Sequence, residues 1–110
     1  MTTIKLDITE PLKTSELITT VQKRDIRNTM LQLNSEIGEM NDWINRPHRQ
    51  KEHFSGECAD AIICIIDALY LHAKIESNGN ITKEEIIKNL EQQLVKKTKK
   101  WRDQVIPDLL

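Results

Sequence analysis

The stretch that decides the fold is residues 59–73, ADAIICIIDALYLHA. On a helix this run places apolar side chains on nearly every face, which is typical of a helix that is buried on all sides. For Asp67, which lies seven residues after Asp60 and so about 10 Å further along the helix, we predict a salt bridge or an interface hydrogen bond. A chain of 110 residues has few helices with which to surround this one. We therefore expect a helical bundle that is completed by oligomerisation.

Upstream of this helix, apolar residues recur at spacings of 4, 3, 4, 3 and 4, which is a helical period. The pattern predicts one long helix over roughly 15–45, with a capping residue at Thr14 or Ser15 and a stop imposed by Pro47. Residues 1–13 are then an N-terminal tail. The residues of the stripe are Ile26, Met30, Leu33, Ile37, Met40 and Ile44.

Downstream, the tripeptide 78–80, Asn-Gly-Asn, interrupts the apolar run. Thr82 and Glu85 are spaced as a capping box, so a third helix is predicted over roughly 83–104. Three glycines and three prolines are too few for a β-sandwich or a barrel. The sequence therefore predicts an all-α fold with three principal helices, in a single domain over residues 1–110.

Composition excludes several classes of protein. The chain is 38% hydrophobic and 30% charged, and its longest uncharged apolar stretch, 61–66, is far too short to cross a bilayer. The formal net charge of −1 gives no overall field that would attract nucleic acid. Cys58 and Cys64 lie on different sides of one helix and cannot pair, and there is no CxxC motif. We expect a cytoplasmic protein without membrane or nucleic-acid partners.

Four carboxylates form a pattern that suggests a metal site: Glu36 and Glu39 in the first predicted helix, and Glu57 and Asp60 in the second. Each pair has the i, i+3 spacing that places both side chains on one helix face. Antiparallel packing of the two helices would bring the pairs together, and four converging carboxylates repel one another unless a cation lies among them. Oxygen-only ligands favour Mg²⁺, with Mn²⁺ as a substitute.

A simpler interpretation is that these acids form a solvated helix face, which is the usual place for Glu36 and Glu39 taken alone. Asp60 argues against it, because this residue begins the most apolar helix of the chain. A di-iron site would require Glu-x-x-His pairs, and the sequence contains none.

The motif Glu36-x-x-Glu39, seventeen intervening residues and Glu57-x-x-Asp60 resembles the MazG-like all-α nucleoside triphosphate pyrophosphohydrolases over roughly residues 15–102. The resemblance implies Mg²⁺-dependent cleavage of a (d)NTP to the (d)NMP and pyrophosphate in a homodimer or homotetramer, with nucleotide-pool house-cleaning as the expected process. It also implies that the four acids bind the metal and that Glu36 or Glu39 activates the water. The family often has a second Glu at the start of the first motif, where this chain has Ser35.

Five residues are candidates for substrate binding. Trp43 lies on nearly the same helix face as Glu39 and is placed to stack on a base, and His53 is placed to approach a phosphate. The resemblance adds basic residues near the end of the third helix, for which we select Lys97, Lys100 and Arg102. Aromatic residues are more often core or interface anchors, and cations near a helix C-terminus also complement its dipole.

The alternative function is a non-catalytic helical oligomerisation or regulatory module. An intact set of four carboxylates favours the enzyme over this module.

Overall fold

The computed structural model describes residues 2–109, which form four α-helices and contain no strand. This confirms the all-α prediction. Within that range, every helix falls short of the combined length and hydrophobicity that a membrane span requires. The helices are α1 (Thr9–Val21), α2 (Ile26–Asn45), α3 (Phe54–Glu76) and α4 (Lys83–Leu109), with a 3₁₀ turn at Pro47–Arg49.

The predicted single helix over 15–45 is wrong, because the chain breaks there into α1 and α2. The side chain of Asp25 accepts a hydrogen bond of 2.9 Å from the backbone N–H of Arg27 and so caps the start of α2. The predicted tail over 1–13 is too long, since α1 already begins at Thr9.

The break between α1 and α2 is held by the carboxylate of Asp67, in the middle of α3. The guanidinium of Arg24, which lies within the break, binds this carboxylate with an Nη1–Oδ1 distance of 2.8 Å, and both side chains are largely buried. Ser15 of α1 and Thr29 of α2 donate their hydroxyl groups to the same carboxylate. We call these four residues the Asp67 junction. They confirm the predicted salt bridge at Asp67.

The Asp67 junction also shows the register of α2 against α3, which pack side by side in opposite directions. Thr29 contacts Asp67 through a hydrogen bond. Seven residues further along α2 lies Glu36, and seven residues back along α3 lies Asp60. On each of the two helices, two turns separate the Asp67 junction from the carboxylates. One alignment of α2 against α3 therefore forms both sites.

The hydrophobic core lies around the C-terminal half of α3. Its buried residues are Leu12 from α1, Ile66, Tyr70 and Leu71 from α3, and Ile86 from the first turn of α4. The core therefore joins α1, α3 and the beginning of α4, at the opposite end of α3 from Asp60.

The connection between α3 and α4 has the predicted turn and cap. Asn78 and Gly79 adopt positive φ angles of 54° and 82°, and the N–H of Gly79 donates to the carbonyl of Lys74 at 2.8 Å. The backbone N–H of Glu85 donates to Thr82 Oγ1 at 3.1 Å, and the N–H of Thr82 donates back to the Glu85 carboxylate at 3.4 Å. The capping box is confirmed.

Helix α4 extends well beyond the core. It ends at Leu109 rather than at the end of the predicted range 83–104, and all its residues over 91–109 are exposed. The radius of gyration is 16.6 Å, whereas a compact chain of this length has about 13 Å. Ile63 and Ile65 of α3 are also about half exposed. The sequence predicts a helix that is buried on all sides. Within one chain, α3 is not buried in this way.

Replacement of Asp67 by Asn should destabilise the protein strongly, because it leaves the buried guanidinium of Arg24 without a counter-charge. We expect the free energy of unfolding in urea to fall by about 3 kcal/mol. The matched control is Asp103→Asn, which breaks an exposed ion pair with Lys99 and should cost less than about 0.5 kcal/mol. Equal losses in the two variants would contradict a structural role for the Asp67 junction.

Candidate metal centre

The four predicted carboxylates converge in the structure. One oxygen from each lies within 4.8 Å of an oxygen from every other. We call this set the acidic quartet. Helix α2 supplies Glu36 and Glu39, helix α3 supplies Glu57 and Asp60, and the register set by the Asp67 junction brings the two pairs face to face.

The acidic quartet has a buried side and an open side. Glu57 is buried, with 8% of its surface exposed, and Glu36 is partly buried, whereas Glu39 and Asp60 are exposed. Oε1 of Glu36 accepts a hydrogen bond of 2.6 Å from Gln32. The other oxygen of Glu36 and Oε2 of Glu57 are both buried and have no hydrogen-bond partner among the described residues.

These orphaned oxygens are the most informative feature of the site. A buried acceptor without a donor destabilises a fold by about 1–3 kcal/mol, and more when it carries a charge. A cation can satisfy oxygen atoms of this kind, and the donor set consists of carboxylate oxygens alone. The residues present therefore fit a hard divalent cation such as Mg²⁺ or Mn²⁺.

The electrostatics at Glu57 agree with this interpretation. Burial, together with the neighbouring carboxyl groups of Glu52 and Glu39, raises the pKa of Glu57 to about 7. Loss of hydration is the largest cause, followed by the contact with Glu52 and then by that with Glu39. A carboxyl group in such surroundings gains more from a bound cation than an exposed one does.

Glu52 is a residue that the sequence analysis missed. It lies exposed in the loop before α3, and its carboxyl group lies next to Gly56. A Cβ atom at Gly56 would meet the carbon and both oxygens of this carboxyl group at 3.0 to 3.2 Å. The sequence signal is Gly56, which directly precedes Glu57 and follows Glu52 by four residues. A glycine at this position could have indicated that another group approaches the backbone closely.

Trp43 and His53, which the sequence analysis assigned to substrate binding, fix the loop before α3. The indole N–H of Trp43 donates to the carbonyl of Glu52 at 2.9 Å, and its ring packs against that of Phe54 with centroids 5.4 Å apart. Nδ1 of His53 accepts the N–H of Ser55 at 3.1 Å and so caps α3. Their contacts with a substrate stay predictions.

The basic residues selected for phosphate binding, Lys97, Lys100 and Arg102, lie on the exposed part of α4. Over residues 2–109, no salt bridge joins them to the acidic quartet, and the basic side chain of this segment that has an ion-pair partner is Lys99, bound to Asp103 at 2.7 Å. Their role toward a triphosphate also stays a prediction.

No protein-family model matches this chain, and no curated protein and no solved structure is significantly similar to it. The chemistry of the acidic quartet therefore carries the functional argument.

The raised pKa of Glu57 predicts a specific pH dependence in the absence of divalent cations. The folded state holds the proton more tightly than the unfolded chain, so the free energy of unfolding should rise as the pH falls from about 8 toward about 5. Glu57→Gln lacks this titration and is the reference. In EDTA, the melting temperature of the parent should rise relative to that of Glu57→Gln as the pH falls. A difference in melting temperature that does not change with pH would contradict the raised pKa.

Proposed function

We propose that this protein is a Mg²⁺-dependent nucleoside triphosphate pyrophosphohydrolase that cleaves a (d)NTP to the (d)NMP and pyrophosphate. The observation that carries the proposal is the acidic quartet with its two buried, unpartnered carboxylate oxygens. The resemblance of Glu36-x-x-Glu39 and Glu57-x-x-Asp60 to the MazG-like enzymes supplies the reaction class. Removal of damaged or surplus nucleotides is the process that such an activity would serve.

The chain's residues would divide the work according to their burial. Glu36 and Glu57 form the buried floor of the site, where their unpartnered oxygens would bind the cation, and Asp60 and Glu39 would bind it from the open side. An Mg²⁺ ion held by these four residues would neutralise charge on the triphosphate and on the leaving pyrophosphate and would orient a water for attack.

Glu39 is the better candidate to accept the proton from the attacking water. Glu36 is partly buried and one of its oxygens is already bound to Gln32, whereas Glu39 is exposed and can pass a proton on to solvent. Both residues lie in the acidic quartet and would bind the cation. Their difference in burial therefore decides only which of them accepts the proton.

We further propose that the protein assembles with copies of itself, as a homodimer or a homotetramer. Half of the predicted apolar stripe of α2 does not face α3, since Met30, Ile37 and Ile44 are 44–61% exposed. On α4, the exposed large apolar side chains are Leu94, Val95, Trp101, Val105, Ile106 and Leu109. Together with the half-exposed Ile63 and Ile65 of α3, this apolar surface on three helices is typical of an interface between chains.

The same surface supports the alternative function, a non-catalytic oligomerisation module. Such a module would need the exposed faces of α2, α3 and α4, but it would have no use for a buried carboxylate beside three others. The acidic quartet therefore favours the enzyme, and loss of its charges separates the two functions.

Glu39→Gln keeps the shape of the side chain and removes one charge, so it should abolish most pyrophosphate release from a panel of triphosphates with Mg²⁺. In the parent, Mg²⁺ should raise the melting temperature in a concentration-dependent way, because it binds the folded state. The variant should respond less to Mg²⁺. Without Mg²⁺ the variant should be at least as stable as the parent, because the repulsion within the quartet is reduced.

A parent that releases no pyrophosphate from any triphosphate, with Glu39→Gln, Glu36→Gln, Glu57→Gln and Asp60→Asn all indistinguishable from it, would contradict the enzyme. The acids would then be a solvated surface, and the oligomerisation module would replace the proposed function.

The assembly is tested on α4. The parent should sediment as a dimer or a tetramer at micromolar concentration, and Val95→Glu should shift it toward the monomer. Val95 is 73% exposed within one chain, so the fold of the variant should survive, which circular dichroism can verify. Gln93→Glu adds the same charge at a neighbouring exposed polar position and is the control. A parent that is monomeric and fully active would overturn the proposed assembly.

A further inference from the structure

The C-terminal part of α4 has an apolar face that is left uncovered within one chain. Residues 91–109 are all exposed in the part of the chain that the structure describes. At about 100° per residue, the large apolar side chains from Leu90 onward lie within one face of the helix, and Lys96 and Lys99 lie on the opposite face. We call the residues of the apolar face the α4 stripe: Leu90, Leu94, Thr98, Trp101, Val105 and Leu109.

The α4 stripe continues a face that already packs on the core. Leu90, together with Ile87 before it, packs against the hydrophobic core of its own chain. Leu90 and Leu94 line a groove of about 670 Å³, together with Ile65 of α3. Beyond Leu94 the stripe runs on for about 22 Å to Leu109. An apolar face that extends so far past its own core is typical of a helix that packs on another chain.

The surface of the chain is large enough for a stable association. The accessible surface is 8948 Å², whereas a compact monomer of 12.8 kDa has about 6300 Å². The excess of about 2600 Å² is more than the roughly 800 Å² that each partner buries in a standard-size interface. A second copy of the chain can therefore cover the α4 stripe without any rearrangement of the core.

The spacing of the α4 stripe shows which helix fits it. Its residues follow one another at intervals of 4, 4, 3, 4 and 4, a series that is the same in both directions. Two antiparallel copies of α4, related by a two-fold axis between Lys99 and Lys100, therefore place every stripe residue opposite another. The facing pairs are Leu90 with the partner's Leu109, Leu94 with the partner's Val105, and Thr98 with the partner's Trp101.

An antiparallel pair also explains the groove. In this arrangement the end of α4 from one chain lies beside Leu90 and Leu94 of the other, where the groove is open. A parallel pair would place both helix ends far from both grooves and would bring helix termini of the same partial charge together. The groove and the helix dipoles therefore favour the antiparallel direction.

We propose that the α4 stripes of two chains pack antiparallel about this axis, so that the end of each α4 covers the groove of the other chain. The inference rests on the proposed assembly, because it describes the interface of a homodimer or of one pair within a homotetramer. It goes beyond that proposal by stating the helix, its direction and its register.

Disulfide trapping under mild oxidation tests the direction and the register. The double variant Leu94→Cys with Val105→Cys should form a covalent dimer on a non-reducing gel, because the two positions face each other between chains. Each single variant should form no cross-link, since the same position in the two antiparallel chains is displaced by about 16 Å along the helices. A disulfide within one chain is excluded by the same distance. Both side chains are 41–56% exposed, so the fold of the variants should survive, which circular dichroism can verify.

Two controls accompany this experiment. The parent contains the native thiols of Cys58 and Cys64 and reports any cross-link that they form. The double variant Lys96→Cys with Asp103→Cys has the same register, but both positions lie on the face of α4 opposite the stripe. It should form no cross-link.

The salt dependence of association is a second measurement. Five basic residues lie between positions 96 and 102, so two antiparallel copies of α4 carry like charges on neighbouring helices. Added NaCl screens this repulsion and leaves the apolar contact. Sedimentation of the parent should therefore show stronger association at higher salt. Association that weakens with salt would contradict the inference, because it would mean that the basic residues bind an acidic surface of the partner.

The trapping experiment separates the inference from the proposals before it. A cross-link in either single variant would overturn the inference, because the helices would then run parallel. If the parent sediments as a dimer and the Leu94→Cys, Val105→Cys variant forms no cross-link, the proposed assembly stands and the inference fails. If this variant forms the cross-link and the parent releases no pyrophosphate from any triphosphate, the inference stands and the proposed enzyme fails.

Discussion

The arrangement of this molecule depends on one buried carboxylate, that of Asp67. It binds the guanidinium of Arg24 and accepts hydrogen bonds from Ser15 and Thr29, so that a single side chain of α3 contacts α1, α2 and the break between them. A charged group inside a helical hairpin is satisfied in few geometries, whereas apolar side chains tolerate sliding. The Asp67 junction therefore selects one register of α2 on α3, and the acidic quartet lies two helical turns away in that same register.

The two polar sites on α3 are opposite in character. At the Asp67 junction every oxygen has a donor, and the neighbouring Arg24 contributes to a lowered pKa of Asp67. At the other end of the helix Glu57 is surrounded by carboxyl groups, and its pKa is raised. The ion pair and hydrogen bonds of the Asp67 junction stabilise the chain, whereas the carboxyl groups of the acidic quartet repel one another. Like charges that are held together in the folded state destabilise it. Proteins tolerate such an arrangement at functional sites, where it serves binding.

Local signals in the sequence predicted some of this structure and could not predict the rest. The capping box at Thr82 and the i, i+3 spacing of the acids depend on neighbours along one helix, and both are found as expected. The break near Asp25 was missed, although the apolar stripe begins only at Ile26 and an aspartate directly before it is itself a helix-start signal. The effect of Glu52 on the pKa of Glu57 could not be found by helical spacing, since Glu52 lies in a loop and its carboxyl group lies close to Gly56.

Much of the apolar stripe of α2 lies on a different face of the helix from its carboxylates. The face of α2 that packs on α3 carries Thr29 and the carboxylates, while much of the apolar stripe faces outward. All four carboxylates of the quartet thus come from one hairpin of one chain, whereas the apolar faces of α2 and α4 remain without cover in that chain. The proposed cation site and the proposed interface between chains therefore lie on different faces of the same helices. If both proposals hold, a variant that separates the chains can keep its cation site, and a variant that loses the cation site can still associate.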